Sequence, residues 1–410
     1  MDDSIKIDAL TALDQVTEAV RQALSDSNLA DNINLGSGLA GSLVFLSTLY
    51  KKKPCASFAL ESRKILQAIF TKVATDEFSE VGLYSGLAGI AWAVNYAISA
   101  FGASTLGISD SATEEIDHLL ISMFKHRWRG HYDLISGIVG IGVYSLGLKK
   151  TDVGIELFRS VTKNLQEMAE GSGTGMTWHT SVSFVPVREQ PNNQNGWYNL
   201  GLAHGVPGVI ALLGRACVLG YATDKDRAVL ASAVKWLLHQ SLSENELTFG
   251  FSTSLAQKRT AWCYGDLGIA VALLHAAAAL ESENLKSSAL NLASRSLSIS
   301  HSKSGAVDAS ICHGSLGVSH IARRIFDSSN DPRFYDQHIR WLNFALYENG
   351  SNSLDRFSCY EGSGRIRLLN TGYLNGLSGV GLALIDAIYE PKCSWNVPLL
   401  TDFTGKIWLD

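Results

Sequence analysis

Cys263, Cys312 and His313 are of the right types, at the right spacing, to hold a metal ion. Two thiolates and an imidazole suit zinc, and three protein ligands leave a fourth position for water or substrate, whereas a structural zinc site closes all four. An adjacent Cys-His pair is commonplace by itself, and an isolated cysteine is usually buried filler. Register distinguishes these three. Cys263 and Cys312 each stand two places before a glycine, in Cys263-Tyr264-Gly265 and Cys312-His313-Gly314. His204 stands directly before Gly205, as His313 does before Gly314, and could serve as a further ligand or as a base. Asp133 lies four residues before Gly137, Arg259 six before Gly265, and Tyr264 directly before that same glycine. Each of these is, taken singly, a common cap or surface residue. A Cys–His nucleophile pair is the rival reading of Cys312-His313, although neighbouring side chains of one chain rarely point at each other.

The glycines that set this register recur seven times as Gly-x-x-Gly, beginning at Gly38, Gly86, Gly137, Gly205, Gly265, Gly314 and Gly376. Such a recurrence signals a repeat architecture. Each copy opens an Ala- and Leu-rich apolar run, such as Val209-Ile210-Ala211-Leu212-Leu213, which fits a helix buried on most sides. Amphipathic segments of helical period lie between the copies, among them Leu60–Phe70 and Ala228–Leu238. Each repeat therefore predicts one buried and one half-exposed helix. Seven such hairpins either stack as an open solenoid or close into a ring, and the absence of polar capping repeats favours closure. The expected fold is all-α: a double-layered toroid of seven inner and seven outer helices in one domain over residues 1–410. In such a ring equivalent positions face the same mouth, which would bring Cys263, Cys312, His313 and His204 together. Residues 171–199 break the pattern with a β-leaning run, Trp178–Val187, and an Asn- and Gly-rich turn, so a small β insertion is expected there.

Hydrophobic residues make up 46% of the chain and charged residues 18%, enough apolar content for a large core. With 34 basic and 39 acidic residues the net charge is −5, and no long basic run suggests nucleic acid. No stretch of 18 uninterrupted apolar residues reads as a membrane span, and the acidic start Met1-Asp2-Asp3-Ser4 is unlike a secretory signal. A cytoplasmic protein is expected. The remaining cysteines, Cys55, Cys217, Cys359 and Cys393, are too sparse for a disulfide framework and read as small apolar fillers. His118, His126, His239, His275 and His301 fall outside the register and read as structural.

Six segments together resemble the lanthionine synthetase C-like family. They are Gly82-Leu83-Tyr84-Ser85-Gly86-Leu87-Ala88-Gly89, Tyr132-Asp133-Leu134-Ile135-Ser136-Gly137, Asn199-Leu200-Gly201-Leu202-Ala203-His204-Gly205, Ala261-Trp262-Cys263-Tyr264-Gly265, Ile311-Cys312-His313-Gly314 and Gly372-Tyr373-Leu374-Asn375-Gly376. They run in family order over nearly the whole chain. The resemblance implies a double α-toroid, one zinc ion on Cys263, Cys312 and His313, and a catalytic histidine at His204 with Asp133, Arg259 and Tyr264 around it. It implies a lanthipeptide cyclase whose substrate is a dehydrated precursor peptide, with a dehydratase and an exporter as partners and a peripheral place at the membrane. The candidate β insertion would match the small phosphopeptide-binding-like extension of some members. Asp266 stands where the family type has glycine and is expected to add negative charge near the metal. Two alternatives stay open: addition of a small thiol such as glutathione to dehydrated residues, and a non-catalytic peptide-binding toroid with structural zinc. Helical-toroid glycosidases need paired carboxylates, which the aligned positions do not offer.

Overall fold

The computed structural model describes residues 1–25, 32–75, 80–148, 151–242, 247–348, 353–360, 367–389 and 394–403; Cys393 lies outside them. The helices are, in chain order, α1 (Asp3–Ala23), α2 (Leu39–Lys52), α3 (Ala56–Thr75), α4 (Leu87–Phe101), α5 (Ala103–Leu106), α6 (Glu114–Met123), α7 (Ile138–Gly147), α8 (Asp152–Met168), α9 (Val206–Leu219), α10 (Asp224–Leu238), α11 (Asp266–Leu280), α12 (Glu283–Ser298), α13 (His301–Ser304), α14 (Ser315–Ser329), α15 (Pro332–Asn343) and α16 (Leu377–Ile388). Seven of them, α2, α4, α7, α9, α11, α14 and α16, start directly after the first glycine of a repeat. These seven carry the buried apolar runs. In α2, for example, Leu43, Val44, Phe45 and Leu46 are all fully buried, and each such side chain stabilises the fold by about 1.5–3 kcal/mol. The longer helices between them are amphipathic: α8 buries Leu157, Phe158, Val161 and Leu165 along one stripe.

Two compact units are present, residues 1–119 with 307–396, and residues 120–306 with 397–410. In the first, α14, α16, α2 and α4 pack side by side in that order, with α15 backing α14 and α3 backing α2. The N-terminal helix α1 backs α16, so the chain's first helix completes the hairpin of its last repeat. In the second unit α7, α9 and α11 form the inner row, each backed by the outer helix that follows it, α8, α10 and α12. The strands β1 (Glu170–Ser172) and β2 (Gly175–Thr177) pair antiparallel, and β2 packs on α10. Downstream, the run Trp178–Val187 carries no strand. It holds a bridge between Thr180 and Trp197 and a short 3-10 turn at Val182–Phe184, and Tyr132 donates to the Trp178 carbonyl, tying the segment to the second unit. A further two-stranded ladder joins β3 (Cys359–Tyr360) to β4 (Arg367–Leu368).

One loop design precedes the inner helices. Most helices begin with a Ser, Thr, Asn or Asp cap; here the first repeat glycine takes that place and no side chain caps. The chain instead folds back on itself. The carbonyl of the residue six places before the glycine accepts the N–H of the residue just after it, in Leu39→Asn32, Leu87→Glu80, Ile138→His131, Val206→Asn199, Ser315→Asp308 and Leu377→Asn370. Orphan N–H groups of the first helical turn are thus satisfied by main chain. The glycine is required because the returning backbone leaves no room: a Cβ on Gly205 would sit 2.1 Å from the Asn199 carbonyl oxygen, and one on Gly265 would sit 1.7 Å from that of Arg259. Main-chain hydrogen bonds also join neighbouring loops. Leu134 donates to Ala203 and Ala203 to Cys263 in the second unit; Cys312 donates to Leu374, Leu374 to Gly36 and Gly36 to Tyr84 in the first. In six of the seven repeats the residue two places before the glycine, both cysteines included, is therefore held by backbone, and in the Gly137 repeat Leu134, three places before, is held in the same way.

Among the described residues no helix is long and apolar enough to cross a membrane.

Candidate functional site

His204, at the loop leading into α9, and Asp133, at the loop leading into α7, meet directly: His204 Nδ1 lies 2.8 Å from Asp133 Oδ2. The other carboxylate oxygen accepts the N–H groups of Ser136 (2.9 Å) and Gly137 (2.8 Å) and the Ser136 hydroxyl (3.2 Å). His131 lies on the far side, its Nδ1 accepting the Asp133 N–H at 2.8 Å. Burial alone would push the Asp133 carboxyl up, but the adjacent His131 and the hydrogen bond and charge of His204 outweigh burial and hold it well below the usual carboxylate range. Asp133 is a fixed anion. Burial works against the charged form of His204, yet the hydrogen bond and charge of Asp133, with Cys263 nearby, raise its pKa above the ordinary histidine value. Its side chain remains 40% exposed, whereas that of Asp133 is 3% exposed. One imidazole nitrogen is anchored, and the ring still reaches solvent.

Aromatic stacking extends from that ring. Tyr264 stacks on His204 with centroids 5.8 Å apart, Phe251 stacks on Tyr264 at 4.6 Å, and the Arg259 guanidinium lies over Phe251 at 5.5 Å. Asn199 donates to the Tyr264 hydroxyl at 2.9 Å and accepts the Gly201 N–H on its own oxygen. The four residues singled out from sequence, Asp133, His204, Tyr264 and Arg259, thus stand in one connected group. Phe251, which the glycine register did not select, bridges Tyr264 and Arg259, and Asn199, likewise unselected, holds the Tyr264 hydroxyl.

The Sγ atoms of Cys263 and Cys312 and a ring nitrogen of His313 all lie within 4.8 Å of one another. Cys263 is buried, while Cys312 and His313 are partly exposed. His313 Nε2 lies 3.0 Å from Asp308 Oδ2, so Nδ1 is the nitrogen that would ligate a metal. Asp308 is fully buried, and it also accepts the N–H groups of Ser310 and Tyr360. Burial would raise its pKa; the hydrogen bond and charge of His313 and the two backbone donors instead bring it down to about 2. A carboxylate behind the free nitrogen of a ligating histidine fixes its tautomer and orientation, so the residues present fit a divalent ion of zinc's preferences. His204 does not belong to this three-donor group; its Nδ1 is turned to Asp133.

Asp266 does not stand free beside the cysteines. It is fully buried at the first position of α11, and its two oxygens accept the N–H groups of Thr248 and Phe249 at 2.6 and 2.9 Å. Burial raises its pKa, opposed by those hydrogen bonds. Its work is to tie the segment bearing Phe251 to the helix that follows Cys263. Asp308, His131 and Asn199 escaped the glycine register, yet all three occupy the position six before a first glycine, as Arg259 does. That column reads Asn32, Glu80, His131, Asn199, Arg259, Asp308 and Asn370, and its polarity in every repeat was the available signal. His275 is structural as expected: its Nε2 meets the Leu400 carbonyl, and burial lowers its pKa to about 4. Among the remaining cysteines Cys359 is buried, whereas Cys55 is exposed at the start of α3 and is not core filler.

The family model described as "Lanthionine synthetase C-like protein" matches residues 30–400. The chain is 24% identical over 391 residues to "Nisin biosynthesis protein NisC" of Lactococcus lactis subsp. lactis, covering 90% of this chain and 88% of that one. It is similar in structure to "Nisin cyclase", with a TM-score of 0.77 and 22% identity over 98% of this chain and 99% of the other. That likeness shows the fold to be the all-α toroid that the glycine repeat predicted. With a family model matched over nine-tenths of its length, the chain belongs to the lanthionine synthetase C-like family.

Proposed function

We propose that this protein is a zinc-dependent lanthipeptide cyclase, adding cysteine thiols of a dehydrated precursor peptide to dehydroalanine or dehydrobutyrine to close thioether rings. The observation that carries the reading is the grouping of Cys263, Cys312 and His313 in a member of this family. Zinc, when bound there, supplies the Lewis acidity that makes a thiol of ordinary pKa near ~8.5 nucleophilic at neutral pH. His313 is held for ligation by Asp308, and Cys263 and Cys312 by their backbone hydrogen bonds. In the addition the thiol gives up its proton to solvent, a sulfur–carbon bond forms at the β-carbon, the carbon–carbon π bond breaks, and the α-carbon must gain a proton, so that the sum is addition of S–H across the double bond. His204 delivers that proton from its exposed edge, while Asp133 keeps the imidazole charged and oriented. The Tyr264 hydroxyl and the Arg259 guanidinium stabilise the developing enolate oxygen.

Elemental analysis of the purified protein tests the metal site, with about one zinc per chain expected in the wild type. Cys263→Ala, Cys312→Ala and His313→Ala should each lose it. His204→Ala should retain zinc and fail to cyclise a dehydrated peptide, read by mass spectrometry after thiol alkylation. Wild-type protein that takes up no zinc on reconstitution removes the metal mechanism, and cyclisation by the His204 variant removes His204 from it.

A further inference from the structure

The segment between α6 and the Asp133 loop reads Phe124-Lys125-His126-Arg127-Trp128-Arg129-Gly130-His131, and no acidic residue occurs between His118 and Tyr132. In a chain of net charge −5 this is a local excess of positive charge. The loop is built. Trp128 stacks on Phe124 with centroids 5.7 Å apart, its N–H donates to Asn164 Oδ1 at 3.0 Å, and its indole N–H donates to the His131 carbonyl at 2.9 Å. Held this way, Lys125, Arg127 and Arg129 are exposed and make no ion pair among the described residues. Arg159 and Lys163, exposed on α8 close to Asn164 in sequence, add to the positive surface, partly offset by Glu156 and Glu167 on the same helix.

Contacts lead from this loop to the candidate catalytic pair. The carbonyl of His131 takes the Trp128 indole N–H, its Nδ1 takes the Asp133 N–H, and its ring packs perpendicular to that of Phe184 with centroids 4.7 Å apart. Phe184 is itself 43% exposed. Arg129 precedes Asp133 by four residues, which caps the separation of their Cα atoms at about 14 Å. A peptide of about five extended residues covers that span.

We propose that Lys125, Arg127 and Arg129, with the exposed Phe184 that packs on His131, form a docking surface for an acidic segment of the peptide substrate. This rests on the cyclase reading and adds how the peptide is held. Exposed, unpaired cations on a rigid loop favour an anionic partner at little ordering cost. A peptide is favoured over other anions because the surface runs on to the residues where its reacting part must lie.

The test uses the full-length zinc-loaded protein and a fluorescein-labelled aspartate-rich peptide, beside its asparagine-for-aspartate counterpart, followed by fluorescence anisotropy at low and high salt. An Arg127→Glu/Arg129→Glu variant, whose fold is checked by circular dichroism, should bind the acidic peptide more weakly by roughly tenfold or more. The asparagine peptide should bind weakly to both proteins. For a dehydrated substrate with an acidic segment, KM should rise in the variant with kcat unchanged. Equal affinity of variant and wild type for the acidic peptide overturns the proposal. So does loss in the variant of sedimentation with phosphatidylglycerol vesicles while peptide binding persists, because the loop then serves a lipid surface. Peptide binding needs no thioether formation, so a wild type that binds but never cyclises refutes the cyclase reading alone.

Discussion

The pairing of His204 with Asp133 makes protonation the first property to examine. A raised histidine pKa means that the imidazolium survives above the usual ~6.5. The stabilisation it draws from Asp133 is complete below the unfolded histidine value and is lost as pH rises through the higher folded value. Asp133, whose pKa is depressed, contributes above the usual carboxylate range and loses its contribution as pH falls. In the proposed mechanism the acid form does the chemistry, so activity should fall on the alkaline side. Asp133→Asn should lower the His204 pKa, measured by NMR titration of labelled histidine, and move that alkaline limb to lower pH. An unchanged His204 titration in this variant would show that Asp133 does not set its charge. Asp308 invites a separate measurement. Asp308→Asn keeps the shape but removes the charge behind His313, and zinc affinity measured by chelator competition should weaken by roughly 10–100-fold.

At the level of the element, the loop before each inner helix explains why a cysteine, a histidine and a carboxylate from distant parts of the chain are so well fixed. Main-chain hydrogen bonds close the loop onto its own helix and link it to the next loop, so the residues just before the glycine have little freedom. Gly265 is the most demanding copy. Its φ is +100°, outside the range side chains normally adopt, and its Cα lies under the Arg259 carbonyl. Gly265→Ala should destabilise the protein by at least about 1–3 kcal/mol, a loss readable in chemical denaturation. Because Arg259 and Tyr264 flank this glycine, the same variant should also lose activity beyond what its reduced folded fraction explains. An alanine variant as stable and active as the wild type would show that the loop can relax without cost.

Across the second unit the chain's last described segment acts as an internal tie. Val397, Leu399, Leu400, Thr401 and Asp402 are buried; the Leu399 carbonyl accepts the Trp262 indole N–H beside Cys263, and Asp402 pairs at 2.5 Å with Arg215 of α9, both fully buried. Removing one partner of a buried ion pair strands the other, so Asp402→Ala should cost about 3–5 kcal/mol, whereas Arg215→Met/Asp402→Leu together should cost much less. Thermal denaturation of the single and double variants separates these outcomes. By itself the amino-acid sequence determined the seven repeats, the alternation of buried and amphipathic helices, and the shared register of Cys263, Cys312, His313 and His204. Periodicity and glycine spacing are local properties, written in consecutive residues. Only the tertiary structure decided that Asp308 stands behind His313, that Phe251 links Tyr264 to Arg259, and that Asp266 is bound by Thr248 and Phe249. It also placed strands at Glu170–Ser172 and Gly175–Thr177, and short turns along the β-leaning run Trp178–Val187. Those outcomes depend on which groups meet across loops far apart in sequence, and for Asp266 on which backbone donors were left to claim a buried carboxylate. Residue type and spacing carry no record of that competition.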